Sequence, residues 1–391
     1  MKMFNFDEII PRKNTDSVKY DKLKIIFGTD EVIPMWVADM DFKTPPFIME
    51  AIRNRAKHEI LGYSIRSDSF YSSIINWMQI MHQWKVDKDW ISFSPGVIPA
   101  FTAAVMAFTL PGDKIIIQPP VYHPFFTSVL NTGRQLIHNC LKFENKSYSF
   151  DFNDLKKKID SRTKMIILCN PQNPVGRVWN KEELSELAEI CVKNEILIVS
   201  DEIHSDLIFK GHKHIPIASI SDKIAQNTIA TYAPSKTFNL AGLSTSAVII
   251  PNKKHKKTFD NFLNDFHLHG GNIFGNIALE AAYLHGKDWL QEMLNYLEGN
   301  ITLIRKFSEK HVDKMDLIEP EATYLLWLDF NKLKLSDKDL ESFLIKKAKL
   351  GLNPGTMFGS GGEGFHRMNI ACPRSTIMLA LNQLEVALNS L

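Results

Sequence analysis

Apolar and polar positions follow two rhythms along this chain, and together they predict a layered α/β protein. Short apolar runs at residues 115–118, 164–169, 195–200, 227–233 and 246–250 are bounded by polar residues or prolines, as buried strands are. Segments of helical periodicity lie between them, such as one that opens at Asn180 with Glu183 three residues later, the pattern of a capping box. From about residue 50 to residue 285 this alternation predicts a mostly parallel sheet covered by helices.

The last hundred residues have a different pattern. A long amphipathic stretch at 289–311 is followed by two strand-like segments, 323–329 and 365–370. This order predicts a smaller α+β domain over residues 286–391, beside a large domain over residues 50–285. A chain of 391 residues is long for a single core, so two domains are expected.

Composition narrows the classes of function. The chain is 45% apolar and 23% charged, with a net charge of +2, so it gives no electrostatic reason to expect a nucleic acid or a membrane surface as partner. No signal peptide and no apolar run of membrane-spanning length is present, which predicts a cytoplasmic protein. The four cysteines are far apart and form no CxxC pair, which argues against a zinc site and a disulfide framework.

Three chemically distinct side chains follow three successive predicted strands. Asn173 comes shortly after 164–169, Asp201 directly follows 195–200, and Lys236 lies just beyond 227–233. Ligands of open α/β sheets bind outside the carboxyl ends of the strands. A lysine amine can bond to an aldehyde, a carboxylate can keep a pyridine nitrogen protonated, and an amide can bond a phenolic oxygen. The set predicts a site for pyridoxal 5′-phosphate (PLP) and an amino-acid substrate.

A glycine turn supplies a candidate phosphate site. Gly96 precedes a small, apolar helical segment, and a helix N-terminus offers free N–H groups and a positive dipole end to an anion. We therefore predict that Gly96, Val97 and Ile98 cradle the cofactor phosphate. The glycine-rich stretch 359–364 is predicted to be a loop near the substrate entrance, because a strand-like segment follows it where a dinucleotide fingerprint needs a helix.

Seven motifs carry a resemblance to a known family. They are residues 34–42 (PMWVADMDF), 61–64 (LGYS), 94–98 (SPGVI), 171–174 (PQNP), 200–204 (SDEIH), 235–239 (SKTFN) and 372–374 (CPR). In this order they resemble the fold-type I PLP enzymes of the aminotransferase superfamily. The first and fifth motifs narrow the resemblance to the MalY/PatB-type cystathionine β-lyases, also called cysteine-S-conjugate β-lyases. The resemblance implies the aspartate aminotransferase fold, with residues 1–49 joining the small domain, and a homodimer.

The resemblance also implies roles for individual residues. Lys236, Asp201 and Tyr122 would be catalytic, with the Tyr122 ring stacked on the cofactor. The implied cofactor contacts are Gly96, Val97, Ile98, Tyr122, Asn173, Asp201, His204, Ser235, Lys236 and, from the partner subunit of a dimer with shared sites, Tyr63. The implied substrate contacts are Arg374, which would grip the α-carboxylate, Asn173 and Ala38. The chain departs from many superfamily members at two positions, where Ala233 replaces a serine and Ser244 replaces an arginine.

The implied activity is α,β-elimination of cystathionine or a cysteine S-conjugate to pyruvate, ammonia and a thiol. A transaminase would use the same lysine, aspartate and arginine, so those residues do not separate the two activities. A PLP-binding regulatory protein is a third interpretation. Release of pyruvate and thiol without a keto-acid acceptor distinguishes the lyase from the transaminase.

Overall fold

The computed structural model describes residues 4–391; the first three residues of the predicted small domain lie outside the described range. The strands are β1 Ile33–Pro34, β2 Ile91–Ser94, β3 Lys114–Ile117, β4 Gln135–His138, β5 Lys142–Glu144, β6 Ser147–Ser149, β7 Thr163–Cys169, β8 Leu197–Asp201, β9 Thr228–Tyr232, β10 Ser246–Ile249, β11 Asp316–Ile318, β12 Leu325–Asp329, β13 Leu350–Gly351, β14 Asn353–Pro354 and β15 Phe365–Asn369. The α-helices are α1 Val18–Asp21, α2 Leu23–Phe27, α3 Pro46–Ala56, α4 Asp68–His82, α5 Val97–Phe108, α6 Pro124–Leu130, α7 Phe152–Lys158, α8 Lys181–Lys193, α9 Asp222–Ala225, α10 Pro234–Thr237, α11 Lys253–Asp265, α12 Ile273–His285, α13 Lys287–Lys310, α14 Asp337–Lys346 and α15 Arg374–Leu388.

The central element is a seven-stranded sheet in the order β2-β10-β9-β8-β7-β3-β4. Its strands are parallel except β10, which runs antiparallel to β9 and β2. The predicted mostly parallel sheet is therefore confirmed. β8 begins at Leu197, two residues later than the predicted run, because Glu195 has a left-handed φ of 56° that ends the preceding turn.

Strand β7 shows why these runs are apolar throughout. Met165 and Ile167 pack into the core under α5 and α11, whereas Ile166 and Leu168 pack into the core under α8. Successive side chains of a strand point to opposite faces, so a sheet covered on both sides needs apolar residues at every position. The capping box of α8 is present, with Asn180 Oδ1 accepting from Glu183 N at 2.8 Å and Glu183 Oε2 accepting from Asn180 N at 2.9 Å.

A second sheet, in the order β11-β12-β15-β14, is antiparallel and packs with α13 and α15. β1 pairs in parallel with β13, which ties the N-terminal segment to the C-terminal part of the chain. The domain boundaries at 49/50 and 285/286 stay predictions. No helix in the described part of the chain is long and apolar enough to cross a membrane. Within residues 4–391, no group of His, Cys, Asp and Glu side chains is arranged to hold a metal ion.

Candidate active site

The ends of β7, β8 and β9 open onto one cavity of about 300 Å³. Parallel strands place their carboxyl ends at the same edge of a sheet, so residues far apart in sequence meet there. The cavity is lined by Ala38, Pro95, Gly96, Val97, Ile98, Pro99, Tyr122, Cys169, Asn173, Asp201, Ile203, His204, Ser235, Lys236, Ala241, Ser244 and Thr245. The structure thus brings together every residue predicted for the site except Tyr63 and Arg374.

Lys236 lies in α10, the single turn that follows β9. Its Nζ donates to the carbonyl oxygen of Ala38 at 2.6 Å. Burial and the charge of Arg367 lower the pKa of the amine to about 8, while Asp39 and Asp201 oppose the shift. About a tenth of the amine is therefore unprotonated at pH 7, far more than for an ordinary lysine, as a nucleophile or base requires.

Asp201 is the last residue of β8 and is 3% exposed. Its Oδ1 accepts a hydrogen bond from Ile203 N at 3.2 Å. Burial raises the pKa of this carboxyl to about 7, although the Ile203 N–H and the Lys236 charge act in the opposite direction. A buried carboxyl with so little compensation gains from an N–H donor inside the cavity, which a protonated pyridine nitrogen would provide.

The opposite end of the cavity carries the N-terminus of α5. Gly96 is its N-cap, with a φ of 138° that strongly favours glycine. The first turn of a helix leaves N–H groups without intrahelical partners, so Val97 and Ile98 can donate to an anion. Ser235 lines the same cavity, as do Ser244 and Thr245, whose hydroxyl groups lie where many superfamily members carry an arginine. Thr245 was missed in the sequence, although it directly follows the position of that departure.

His204 and Tyr122 are neutral polar groups in the wall. Burial lowers the pKa of His204 well below its usual value, with contributions from Lys236 and Arg367, and its Nδ1 has no hydrogen-bond partner in the described protein. Burial raises the pKa of Tyr122 to about 12, so the phenol stays protonated. These groups can therefore donate to, or stack on, an aromatic ligand without adding charge.

The structure does not bring Arg374 to the cavity, so its position does not support the predicted contact with the substrate carboxylate. β15 ends at Asn369, and Arg374 is the first residue of α15. Its guanidinium stacks on the Tyr296 ring at 4.5 Å and donates to the Tyr296 carbonyl oxygen at 3.1 Å and to Asn300 Oδ1 at 3.3 Å. These contacts commit the side chain to α13.

Arg367 is the arginine that adjoins the site, and it was missed in the sequence. It lies in β15, is 4% exposed, and its Nη1 donates to Asn173 Oδ1 at 3.0 Å. Nη2 donates to Asn353 Oδ1 at 2.7 Å and to the Trp36 carbonyl oxygen at 3.1 Å. Burial lowers its pKa to about 10, which leaves the guanidinium charged at neutral pH.

No carboxylate within the described residues pairs with Arg367; the ionisable groups that act on it are Tyr122 and Tyr324. A buried cation without an acidic partner is costly, so this guanidinium is well suited to a carboxylate brought by a ligand. The sequence contains one sign of this role, because Arg367 lies inside the predicted strand 365–370. A charged residue is rarely buried in a strand unless it has a partner or a function.

Tyr63 lies in the segment between α3 and α4, away from the cavity of its own chain, and its side chain is fully exposed. Ile60, Leu61 and Ile65 beside it are also exposed. The predicted contact of Tyr63 with the cofactor of a partner subunit stays a prediction.

Comparison with known proteins identifies the family of this chain and supports its fold. The model of the family described as aminotransferase class I and II matches residues 30–384. Cystathionine beta-lyase PatB of Bacillus subtilis (strain 168) is 45% identical over 98% of this chain and 100% of its own length. Protein MalY of Escherichia coli (strain K12) is 30% identical over 96% of both chains. The crystal structure of cystalysin from Treponema denticola, which contains a pyridoxal 5′-phosphate cofactor, superposes with a TM-score of 0.96 and 37% identity over 99% of each chain.

Proposed function

The chain belongs to the class I and II aminotransferase family, and from this premise we propose that it is a PLP-dependent carbon–sulfur β-lyase. The observation that carries the proposal is a cavity lined by Lys236, Asp201 and Asn173, with Arg367 hydrogen-bonded to Asn173, in a chain similar throughout to a cystathionine β-lyase. The substrate class is cysteine derivatives with a sulfur substituent on Cβ, such as cystathionine.

The donors around the cavity fit the cofactor. Bound there, PLP would supply an aldehyde carbon for an amine and a ring that takes up the electrons released at the substrate Cα. The Asp201 carboxylate would hold the ring nitrogen, and His204 and Asn173 would donate to the phenolic oxygen. The N–H groups of Val97 and Ile98 would hold the phosphate, and Tyr122 would cover the ring face.

We assign the α-carboxylate of the substrate to Arg367 in place of Arg374. A guanidinium fork can bind a carboxylate through two parallel hydrogen bonds, which orients the substrate as well as attracting it. The hydrogen bond from Arg367 to Asn173 Oδ1 couples the two side chains, so the Asn173 amide nitrogen is left to donate to cofactor or substrate. Ala38, the third residue proposed to contact the substrate, also lines the cavity, and its carbonyl oxygen accepts from Lys236 Nζ.

Lys236 would then act on the proton at Cα. Its lowered pKa makes the unprotonated amine more available than in an ordinary lysine, and its hydrogen bond to the Ala38 carbonyl oxygen holds the amine at the cavity wall. Once the Cα proton moves to Nζ, the bond between Cβ and sulfur breaks and the sulfur leaves as a thiolate. For cystathionine and one water molecule, the products are homocysteine, pyruvate and ammonia.

The test is a product assay on the purified, PLP-loaded protein with cystathionine, cysteine and an S-alkyl cysteine, with and without a keto acid. We expect pyruvate and thiol in equal amounts without the keto acid. Formation of a keto acid from the substrate carbon skeleton only when an acceptor is added would make the protein a transaminase. PLP binding without turnover of any of these substrates would favour the regulatory interpretation.

We also propose a homodimer with shared active sites and a cytoplasmic location. The exposed Tyr63 and its exposed apolar neighbours support an interface, and the four free cysteines suit a reducing compartment. Mixing Lys236→Ala with Tyr63→Phe tests the sharing. In a heterodimer both substitutions would fall in one of the two sites and the other site would be intact, so subunit exchange should restore activity. Absence of any recovery after exchange would place Tyr63 in the site of its own subunit.

A further inference from the structure

Within the motif at residues 34–42, only Ala38 lines the cavity. Residues 36–42 form a stretch that we call the carbonyl loop, because its backbone oxygens are held by side chains from three parts of the fold. These hydrogen bonds run from Arg367 to Trp36, from Asn369 to Val37 and Asp39, from Lys236 and Tyr324 to Ala38, and from Asn239 to Met40 and Phe42. The carbonyl loop therefore joins the strand β15 to the segment that bears Lys236.

A cluster of four charged side chains, two of which belong to the carbonyl loop, ties the loop to the N-terminal segment. Arg12 donates to Asp39 through both terminal nitrogens, at 3.1 and 2.5 Å, and to Asp41 Oδ1 at 2.6 Å. Lys19 donates to Asp41 Oδ2 at 2.7 Å and lies 3.8 Å from Asp39. The side chains of Lys19 and Asp41 are 1% and 7% exposed, so solvent screens this pair far less than a surface pair.

Arg12 makes several hydrogen bonds to the carbonyl loop through a single guanidinium group. Its Nη1 also donates to the Met40 carbonyl oxygen at 3.1 Å, so one guanidinium fixes three consecutive residues, 39–41. Asp39 is bonded directly to Ala38, whose carbonyl oxygen receives Lys236 Nζ at 2.6 Å. A displacement of Asp39 would therefore move the acceptor of the Lys236 amine.

We propose that Arg12 is a positioning residue for the reaction, which acts by clamping Asp39 and Asp41 so that the Ala38 carbonyl holds the amine of Lys236. The inference rests on the proposed function for the role of Lys236 as the base. Proton transfer from Cα demands a fixed amine, and a misplacement of about 1 Å can reduce a rate by about a hundredfold. The N-terminal segment thus supports the chemistry without touching the substrate.

The first test measures the clamp without using activity. Hydrogen exchange of the cofactor-loaded protein is compared for wild type, Arg12→Gln and Lys43→Gln. Lys43 is a matched control, because its ion pair with Glu8 belongs to the same part of the chain but is 66% and 41% exposed. In Arg12→Gln we expect the amides of Met40 and Asp41, bonded to Asn239 and Ala371, to exchange about tenfold faster or more. Unchanged exchange there would overturn the proposal.

The second test asks whether the clamp reaches Lys236. Per cofactor-loaded site, Arg12→Gln should lower kcat about tenfold, leave KM within about twofold, and increase the isotope effect of a Cα-deuterated substrate. A mere loss of folded protein would lower the amount of active enzyme but leave the isotope effect as it was, and that result would contradict the inference. An unchanged kcat with faster exchange would contradict it as well.

Arg12→Lys separates charge from geometry and serves if Arg12→Gln folds poorly. One ammonium keeps the charge but cannot reproduce the fork, so we expect exchange and kcat to remain impaired. Full recovery with lysine would show that charge alone is needed and would overturn positioning by the fork. If the proposed function were at fault, wild type itself would release no thiol, whereas the exchange test would still decide the clamp.

Discussion

The two walls of the cavity are built in different ways. The strand wall consists of residues placed at or just after β7, β8 and β9, namely Asn173, Asp201 and Lys236. What we call the loop wall consists of the carbonyl loop, which lines the cavity through Ala38, and of Arg367, which adjoins the cavity through its hydrogen bond to Asn173. These parts meet only because the chain folds back on itself; Arg367 and Trp36 are 331 residues apart. Reactive side chains at the ends of parallel strands can be predicted from short segments of the sequence. Side chains brought together from two different sheets cannot be predicted in this way.

The walls also differ in how many of their polar groups have a hydrogen-bond or charge partner within the protein. On the strand wall, burial shifts the pKa of Asp201 up to about 7 and that of Lys236 down to about 8, so both groups gain from a ligand. In the loop wall, the carbonyl oxygens of residues 36–40 all have side-chain donors. One wall carries the reactive groups and the other holds them in place.

Among substitutions in the strand wall, Lys236→Ala is expected to lower the activity most. Loss of the amine removes both the bond to the cofactor and the base, so elimination should fall by about 10⁴-fold or more. The measurements are pyruvate release and a borohydride-reducible protein adduct, which should be absent. Lys257→Ala on the exposed side of α11 is the control. Retention of the adduct in Lys236→Ala would refute this assignment.

Asp201→Asn is expected to come next. An amide has almost the same shape but cannot keep the ring nitrogen protonated, so kcat should fall about a hundredfold or more, the scale for losing a preorganised electrostatic group. Steady-state kinetics at saturating cofactor measures the effect. A normal kcat would mean that another group holds the ring nitrogen.

Substitution of the two arginines tests the loop wall directly. Arg367→Lys should lower kcat/KM by about a hundredfold, because lysine cannot form the bidentate contact with the α-carboxylate. Arg374→Lys should change kcat/KM by less than about threefold, because its contacts are with α13 and not with the cavity. Substrate-saturation curves for both variants give the ranking, and the reverse order would restore Arg374 as the carboxylate-binding residue.

The last expected effect is on the stability of the cofactor-free protein, not on its activity. The folded-state pKa of Asp201 is raised, so its contribution to stability is present below the unfolded pKa of about 3.9 and lost as pH rises through about 7. An amide at this position carries no charge and would avoid this loss. The two pKa values differ by about 3 units, so Asp201→Asn should unfold with a free energy about 4 kcal/mol higher at pH 8, and with a smaller gain of about 1–2 kcal/mol at pH 5. Urea unfolding at the two pH values measures it. A variant less stable than wild type at pH 8 would show that the carboxylate is compensated in the folded protein.

The sequence pattern predicted five of the seven strands of the large sheet, the capping box of α8 and the residues that line the cavity from the strand wall; the strands β2 and β4 at the two edges of the sheet were not predicted. These features depend on short-range information, because a buried strand is apolar throughout and a polar residue directly after it must lie at the sheet edge. The hydroxyls of Ser244 and Thr245 are a partial exception. The sequence shows that Ser244 stands where many superfamily members have an arginine. Only the folded chain shows that Thr245 beside it also lines the cavity.

The amino-acid sequence by itself determined that an amine, a carboxylate and an amide meet at one sheet edge. Only the tertiary structure decided which arginine joins them. The pairing of Arg367 with Trp327 on one side and with Asn353 on the other sets the face of β15 on which it lies, and a shift of one residue would turn it away. The acceptor of the Lys236 amine is a backbone oxygen, which every residue carries, so its place depends on Arg12, Asn239 and Asn369 arriving from distant parts of the chain.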